Sequence, residues 1–494
     1  MKSLLSPSER RQLEVIETLF YQDDWITLSE LSHIVDCSTR ILKYDFQSIK
    51  NTFTDFRIES SYQGIRLKFE SNIGLKTLYH NVLNHSITFK LLEMIFLDET
   101  KSIPELADLL FISPSTLYRT VHNANEVCTK YNFYIKTSPV HIFGSEKDIR
   151  YFFYQYFYEK YSPLESTYKK IDLTAMDHLL YFIIEYLSYP IDFASFQLLK
   201  ITSFVNLIRF SHGHSINTMN IKINNLDWIL KSSYPIENIH HFEQTFHLKM
   251  EPFLINQMLI PFTETDYFLT YGQLINTTEH DAQLKKEVDY LNQLLDNLAL
   301  QTDIILMNKP ELLLSLLNSN PLRNQDPRSG YILYNRNHYF VKSIEDYFPD
   351  FLKKMQASLN EFRQFLKVPF STRHMNYMIY ILFTNWENLI PQLEDKFNKI
   401  KVLILSNRNT AHSQMIKDFI EFKINEPLSI DIYKELYLSK TMLEASEYEI
   451  FVANFPLPKL QDKCSIYIEN IPTTKGIQKI QTEIDKMIRK RFLV

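Results

Sequence analysis

Between Ser38 and Asn51, the residues Thr39, Arg40, Lys43, Tyr44, Gln47 and Lys50 recur at a spacing that sets them along the outer side of one helix. Cations, a hydroxyl, an aromatic and an amide on one face are the types that reach phosphates and base edges from a helix in the DNA major groove. Asp45 lies among them and would repel phosphate unless its side chain turns inward. A second set follows. Ser113-Pro114 reads as a cap plus the first-turn proline that helices tolerate, and Ser115, Thr116, Tyr118, Arg119, His122 and Asn123 then face outward. Arg66 and Lys68 lie on a short alternating stretch after the first set, placed to touch flanking backbone or the minor groove.

The elements that must position these residues are legible in the pattern. Ser8 to Tyr21 predicts a helix with Leu13, Ile16, Leu19 and Phe20 on one face. Thr27 or Ser29 caps a second helix carrying Leu28, Leu31, Ile34 and Val35. After a break at Asp36-Cys37, Ser38 caps the third, with Ile41, Leu42, Phe46 and Ile49 inward. The stretches Phe56–Ser60 and Gly64–Phe69 alternate about the turn Ser61-Tyr62-Gln63-Gly64. Three helices and a hairpin make a winged helix-turn-helix. Sliding the chain by about 75 residues lays Leu28–Ser38 over Ile103–Ser113 and Ile65–Leu67 over Val140–Ile142, so helix, turn, cap and wing repeat in register.

From about Ser162 to Asn398 the pattern becomes long amphipathic helices: Met176–Tyr189, Phe196–Ser211, Asp281–Leu300, Ser343–Leu366 and Arg373–Ile390, with loops near 301–310 and 319–328. It reads as two helical modules joined near residue 285. The last hundred residues switch again. Lys401–Ser406 (KVLILS) predicts a buried parallel strand, Ala411–Phe422 a helix, Leu428–Tyr433, Glu449–Asn454 and Cys464–Ile468 further strands, and Thr474–Phe492 a closing helix. The expected domains are residues 1–70 and 71–162 (helix-turn-helix units), 163–285 and 286–398 (helical modules), and 399–494 (α/β).

Composition excludes several classes. The chain has 494 residues, 45% hydrophobic and 22% charged, which fits several globular cores. Its seven glycines form neither GxGxxG nor GxxxxGK[ST], so the common nucleotide-dependent enzymes are not expected. Cys37, Cys128 and Cys464 are scattered, which fits a reducing compartment. The start MKSLLSPSERRQLEVIE turns charged too early for a signal peptide, and no apolar run spans a bilayer, so a cytoplasmic protein without membrane partners is expected. His212 and His214 form an HxH pair, and His240, His241 and His247 a looser group; the spacing alone defines no metal site. No catalytic set, metal site or cofactor motif stands out, and the reading is of a non-enzyme. The net charge of −5 does not exclude nucleic-acid binding, because only a contact face needs to be basic, but it gives that reading no support.

The order of units resembles the Mga/AtxA family of virulence regulators of Gram-positive bacteria. The segments RQLEVIETLFYQDDWITLSELSHIVDCSTRILKYDFQSIK (11–50) and SSYQGIRL (60–67) are similar to its first helix-turn-helix and wing. IPELADLLFISPSTLYRTVHNAN (103–125) and GSEKDIRYFFYQYFYEKYSPLE (144–165) are similar to its second unit and the helix leaving it. The resemblance implies a mainly α, multidomain fold: two winged helix-turn-helix units, two helical PTS regulation domains (PRD-like) and a C-terminal α/β domain like the EIIB component of sugar transporters. It further implies that phosphocarrier proteins of the sugar phosphotransferase system phosphorylate histidine, with His214, and His212 beside it, near the family position. The comparable part of the second module, Glu311–Asn318, has no histidine, and His374 opens a later helix there. After the first strand of the EIIB-like domain, Ser406-Asn407-Arg408 stands where active versions carry a phosphorylated cysteine, and Cys464 does not replace it. The domain is therefore expected to serve self-association into a dimer or larger oligomer.

The expected function is a transcription regulator that holds double-stranded promoter DNA through tandem helix-turn-helix units. The contact residues expected are Thr39, Arg40, Lys43, Tyr44, Gln47, Arg66, Lys68, Ser115, Thr116, Tyr118, Arg119 and His122. Two rivals remain: a protein-interaction scaffold, which the acidic balance favours, and a phosphotransfer component, which the missing cysteine disfavours.

Overall fold

The computed structural model describes the chain except residues 23, 54–55, 70–73, 162–171, 187–190, 217–233, 261, 263–266, 320–329, 368–370, 398, 425–427 and 493–494. The contacts divide it into two units, Met1–Leu269 with Asn318–Asn337, and Thr270–Leu317 with His338–Val494.

The first unit opens with α1 (Pro7–Tyr21), α2 (Leu28–Ile34) and α3 (Thr39–Thr52), then the hairpin β1 (Phe56–Ser61) and β2 (Gly64–Phe69). Ser6 with Glu9 and Thr27 with Glu30 form capping boxes, so Thr27 starts the second helix. Leu13, Ile16, Leu19, Leu31, Leu42 and Ile49 are at most 1% exposed and close the three-helix core. Each such side chain contributes about 1.5–3 kcal/mol of burial. The hairpin is antiparallel, Glu59 lying opposite Arg66, and the backbones of Ile26 and Ile65 exchange hydrogen bonds of 3.0 and 2.8 Å. Gly64 permits that approach: its φ is +133°, and a Cβ there would lie 2.3 Å from the Ile26 carbonyl oxygen. Gly64→Ala is expected to cost about 1–3 kcal/mol of unfolding free energy in urea titration; an unchanged midpoint would contradict this role.

The unit continues with α4 (Leu75–His85), α5 (Ile87–Leu97), α6 (Ile103–Leu109), α7 (Pro114–Cys128), the hairpin β3 (Phe133–Thr137) and β4 (Val140–Gly144), and α8 (Glu146–Lys160). Helix α8 buries Phe152, Phe153, Tyr156 and Phe157, and the Phe96 and Phe153 rings stack at 4.1 Å. Helices α9 (Thr174–Tyr186), α10 (Phe193–Ser211), α11 (Ile236–Phe246) and α12 (Pro252–Met258) complete it, with the segment 330–336. That segment is held by Glu159, whose carboxylate accepts the backbone amides of Ile332, Leu333 and Tyr334 at 2.5, 2.8 and 3.1 Å.

Later come α13 (Tyr271–Thr278), α14 (Ala282–Thr302), α15 (Lys309–Asn318), α16 (Arg336–Tyr347), α17 (Pro349–Leu366), α18 (Thr372–Asn385) and α19 (Leu389–Phe397). The single helix expected over Ser343–Leu366 is two, because Pro349 begins a new helix after Phe348. The helix expected over Arg373–Ile390 ends at Asn385, and Leu389 starts another. The loop expected at 319–328 and the tail of Met176–Tyr189 lie largely outside the described residues.

The chain closes with β5 (Ile400–Leu405), α20 (Thr410–Lys423), β6 (Leu428–Ile432), α21 (Lys440–Ala445), β7 (Ile450–Ala453), β8 (Cys464–Tyr467) and α22 (Thr474–Phe492). The four strands are parallel in the order β6-β5-β7-β8. Ile416 and Ile420 of α20 and Ile480 and Ile484 of α22 cover one face; Leu443 of α21 and Leu460 cover the other. The run KVLILS is continuous because both faces of β5 are buried. Among the described residues, no helix is long and apolar enough to cross a membrane.

Candidate nucleic-acid interface

The two helix-turn-helix units match down to the backbone. In the first, Asp36 takes a left-handed turn (φ +48°), the Cys37 amide donates to Ser32 O at 3.1 Å, and the Ser38 side chain caps α3. In the second, Phe111 takes the same turn (φ +55°), the Ile112 amide donates to Ala107 O at 3.0 Å, and Ser113 caps α7. Ser102 and Glu105 repeat the capping box of Thr27 and Glu30. The sequence repeat is therefore a repeat of turn geometry.

Thr39, Arg40, Lys43, Tyr44, Gln47 and Lys50 are all exposed along α3. Asp45 turns away: it is 2% exposed and accepts Arg11 Nε at 2.6 Å and Nη2 at 3.0 Å. The exposed side of α3 therefore carries cations and neutral polar groups without a carboxylate. Ile41, expected inward, is 39% exposed on this same side, so the apolar arc of α3 is narrower than the pattern implied. Ile34 of α2 and Leu109 of α6, at corresponding positions, are each 51% exposed.

On α7, Ser115, Tyr118, Arg119, His122 and Asn123 are exposed and Thr116 is half-buried. Ser113 Oγ accepts the Thr116 amide at 3.1 Å and lies 2.9 and 2.8 Å from the Ser115 and Thr116 hydroxyls, so these two hydroxyls sit at the cap. His122 Nε2 lies 3.6 Å from Glu126, which puts an acid beside that end of the face. Among the described residues Arg40, Lys43 and Arg119 make no ion pair, and their charges face solvent. Phe111, in the turn before α7, is 94% exposed.

The first wing differs from expectation in its partners. Arg66 binds Glu59 (Nη2 to Oε2, 2.7 Å) and lies over the Trp25 ring at 4.5 Å, and Lys68 is 3.7 Å from Glu59. Their charge is thus partly neutralised within the hairpin. Arg57, opposite Lys68, is exposed and was missed by the sequence reading; its alternation with the buried Phe56 and Ile58 was the available signal. In the second wing, Lys136 lies over the Phe143 ring at 3.7 Å.

His212 and His214 follow α10 and are half-buried. His214 Nε2 lies 2.8 Å from Glu99 Oε2, and the His214 carbonyl accepts Arg150 Nη2 at 3.0 Å. Arg209, fully buried, donates to Glu99 at 2.7 Å, to Glu146 at 2.8 and 3.0 Å, and to the Ile142 carbonyl of β4 at 3.3 Å. A charged network thus ties α10 to the second wing and to the start of α8. Burial pushes the Glu146 carboxyl up, but Arg209 and Arg150 outweigh it and hold the group below its ordinary value. Burial likewise opposes Glu99, and its bond to His214 with the Arg209 charge wins. Burial holds His212 below the usual imidazole range. Depressed carboxylates contribute stability that is complete above the unfolded value of 4.5 and is lost as pH falls through the lower folded values. The melting temperature is expected to drop as pH falls below the unfolded value of 4.5, less so in Glu146→Gln; equal slopes in both proteins would contradict it.

Among the described residues, no group of three or more His, Cys, Asp or Glu is placed to hold a metal ion. His241 is 3.7 Å from Asp172, and His374 Nδ1 is 2.8 Å from Ser371 Oγ. In the C-terminal domain Ser406 Oγ is 2.8 Å from His412 Nδ1, and Cys464 sits on β8, its thiol pushed up to about 11 by burial and Glu483.

Three family models match in succession. Residues 9–65 match the HTH domain of the M protein trans-acting positive regulator (Mga), 71–157 the Mga helix-turn-helix domain, and 172–389 the PRD domain of the same family. The chain is 29% identical to a putative trans-acting regulator of Streptococcus pneumoniae serotype 4, over 97% of each protein. It is 20% identical to the anthrax toxin expression trans-acting positive regulator of Bacillus anthracis, over 96% of this chain and 98% of that protein. It is 23% identical to the capsule synthesis positive regulator AcpB of Bacillus anthracis, over 33% of this chain and 34% of that protein. With both helix-turn-helix units and the helical PRD region matched in succession, this chain belongs to the Mga family of non-enzymatic transcriptional regulators.

Proposed function

We propose that this regulator binds double-stranded promoter DNA with α3 and α7 as its reading helices. The observation that carries the reading is the α3 face, where Arg40, Lys43 and Lys50 stand exposed while the one acid of that stretch is locked on Arg11. Thr39, Tyr44, Gln47, Tyr118, Arg119 and His122 supply base-edge and backbone contacts, with Arg57 and Lys68 on the flanking backbone. Ser115, Thr116 and Arg66 act mainly by shaping the cap and the wing, since their polar atoms are already engaged. Several relatives are named positive regulators, which supports activation as the output.

Two finer features belong to the same proposal. His214 is the phosphoryl acceptor for phosphotransferase-system carriers, with His212 as its neighbour; a phosphate on Nε2 would set about −1.5 to −2 charge against Glu99. The C-terminal domain self-associates, which presents paired units to DNA. It acts in the cytoplasm, where DNA and carriers are found. The test is fluorescence anisotropy of the full chain with a promoter-length AT-rich duplex. Tight binding that weakens steeply with salt is expected. Absence of binding to any duplex at low salt would overturn the proposal in favour of a protein-interaction scaffold.

A further inference from the structure

Within the first unit, a cavity of about 140 Å³ opens between α4, α8 and residues 330–336. Tyr79, Tyr158 and Tyr334 form its walls, Lys76 and Arg336 carry its positive charge, and Gln155 reaches into it. Gln155 is 2% exposed, yet neither its amide nitrogen nor its amide oxygen has a hydrogen-bond partner. Buried amides are seldom left so, and an occupant that meets both atoms is the ordinary remedy. Gly330 is what admits the amide: a Cβ there would lie 1.6 Å from Gln155 Nε2.

The charges around the cavity select the occupant. Lys76 is exposed, lies 5.0 Å from the Tyr158 ring and has no carboxylate partner among the described residues. Arg336 sits 4.4 Å over the same ring. The one acid of the lining, Glu159, is engaged by three backbone amides. A cavity of about 150 Å³ accepts a benzene-sized body.

We propose that this cavity is an effector site for a small ring-bearing acid, a carboxylate or a phosphate monoester. Its ring lies among the tyrosines, its polar edge meets Gln155, and its anionic group pairs with Lys76 under the field of Arg336. Occupancy braces segment 330–336 against α4 and α8, the helices that flank the second helix-turn-helix unit. The proposal does not depend on DNA binding and is tested without DNA.

The test is calorimetric titration of the full chain with benzoate, phenyl phosphate, benzyl alcohol and inorganic phosphate as probes. Benzoate or phenyl phosphate is expected to bind with one site per chain, and the alcohol and the bare phosphate at least about tenfold more weakly. Lys76→Ala should weaken the acid about tenfold. Gln155→Leu should weaken it at least as much while leaving the melting temperature equal or higher, because it removes an unpaired buried amide. Should that variant fail to fold, Lys76→Ala, at an exposed position, still decides. No binding of either acid, unchanged affinity in Lys76→Ala, or benzyl alcohol binding as tightly as benzoate would overturn the proposal.

Discussion

Replacing Arg40, Lys43 and Arg119 together by alanine is expected to weaken promoter-DNA binding on the order of 1,000-fold at moderate salt. An arginine on a base edge is worth about 1–3 kcal/mol, and a lysine on phosphate adds affinity that salt competes away. All three side chains are exposed and make no ion pair among the described residues, so removal leaves nothing buried and unpaired. Unfolding free energy should therefore change by less than about 0.5 kcal/mol. The single variants separate the roles. Lys43→Ala should weaken all duplexes alike and lower the salt slope by about 1, whereas Arg119→Ala should relax preference at one base position. A triple variant that binds as wild type would remove α3 and α7 from the interface; one that fails to fold would show that these side chains hold the domain together.

Arg209→Ala should be the most damaging single change away from the DNA-facing helices, costing about 3–5 kcal/mol. Arg209 is fully buried and pairs with both Glu99 and Glu146, and truncation leaves Glu146 to Arg150 and Glu99 to His214 alone, at a place with little access to water. It also frees the Ile142 carbonyl of the second wing from its bond to α10. The cost belongs to two buried acids that each lose their main cation, so Arg209→Met combined with Glu99→Gln and Glu146→Gln should recover a large part of it. Urea unfolding of the single and triple variants measures both effects. A loss under about 1 kcal/mol for Arg209→Ala would show that solvent reaches the acids and that the network does not tie α10 to the wing.

The helix-turn-helix units were legible because their signals are local. Ser38 and Ser113 cap, Glu30 and Glu105 answer their capping residues three positions on, and the wing strands alternate. A seven-residue helix such as α2 has too few turns to define its buried arc, which is why Ile34 stands half exposed. Ile41 turns outward for a different reason: α3 has 14 residues, but neighbouring elements cover only part of it. The C-terminal sheet was legible from its apolar runs, which only strands covered on both faces need. Pro349 marks a helix start that periodicity alone runs through. What pattern could not show is pairing at distance. Arg209 meets partners 63 and 110 positions away, and Glu159 receives amides more than 170 positions on. The Arg66–Glu59 pair follows from hairpin register, which the strands alone left open.

In the proposed complex both helix-turn-helix units touch DNA. Hydroxyl-radical footprinting of the full chain on a promoter duplex, with wild type beside a Tyr118→Ala/Arg119→Ala variant, separates the two contributions. The wild type should protect two separate patches of backbone, and the variant should lose one while keeping the other. A single patch in the wild type, or a footprint that the α7 changes leave intact, would contradict the claim.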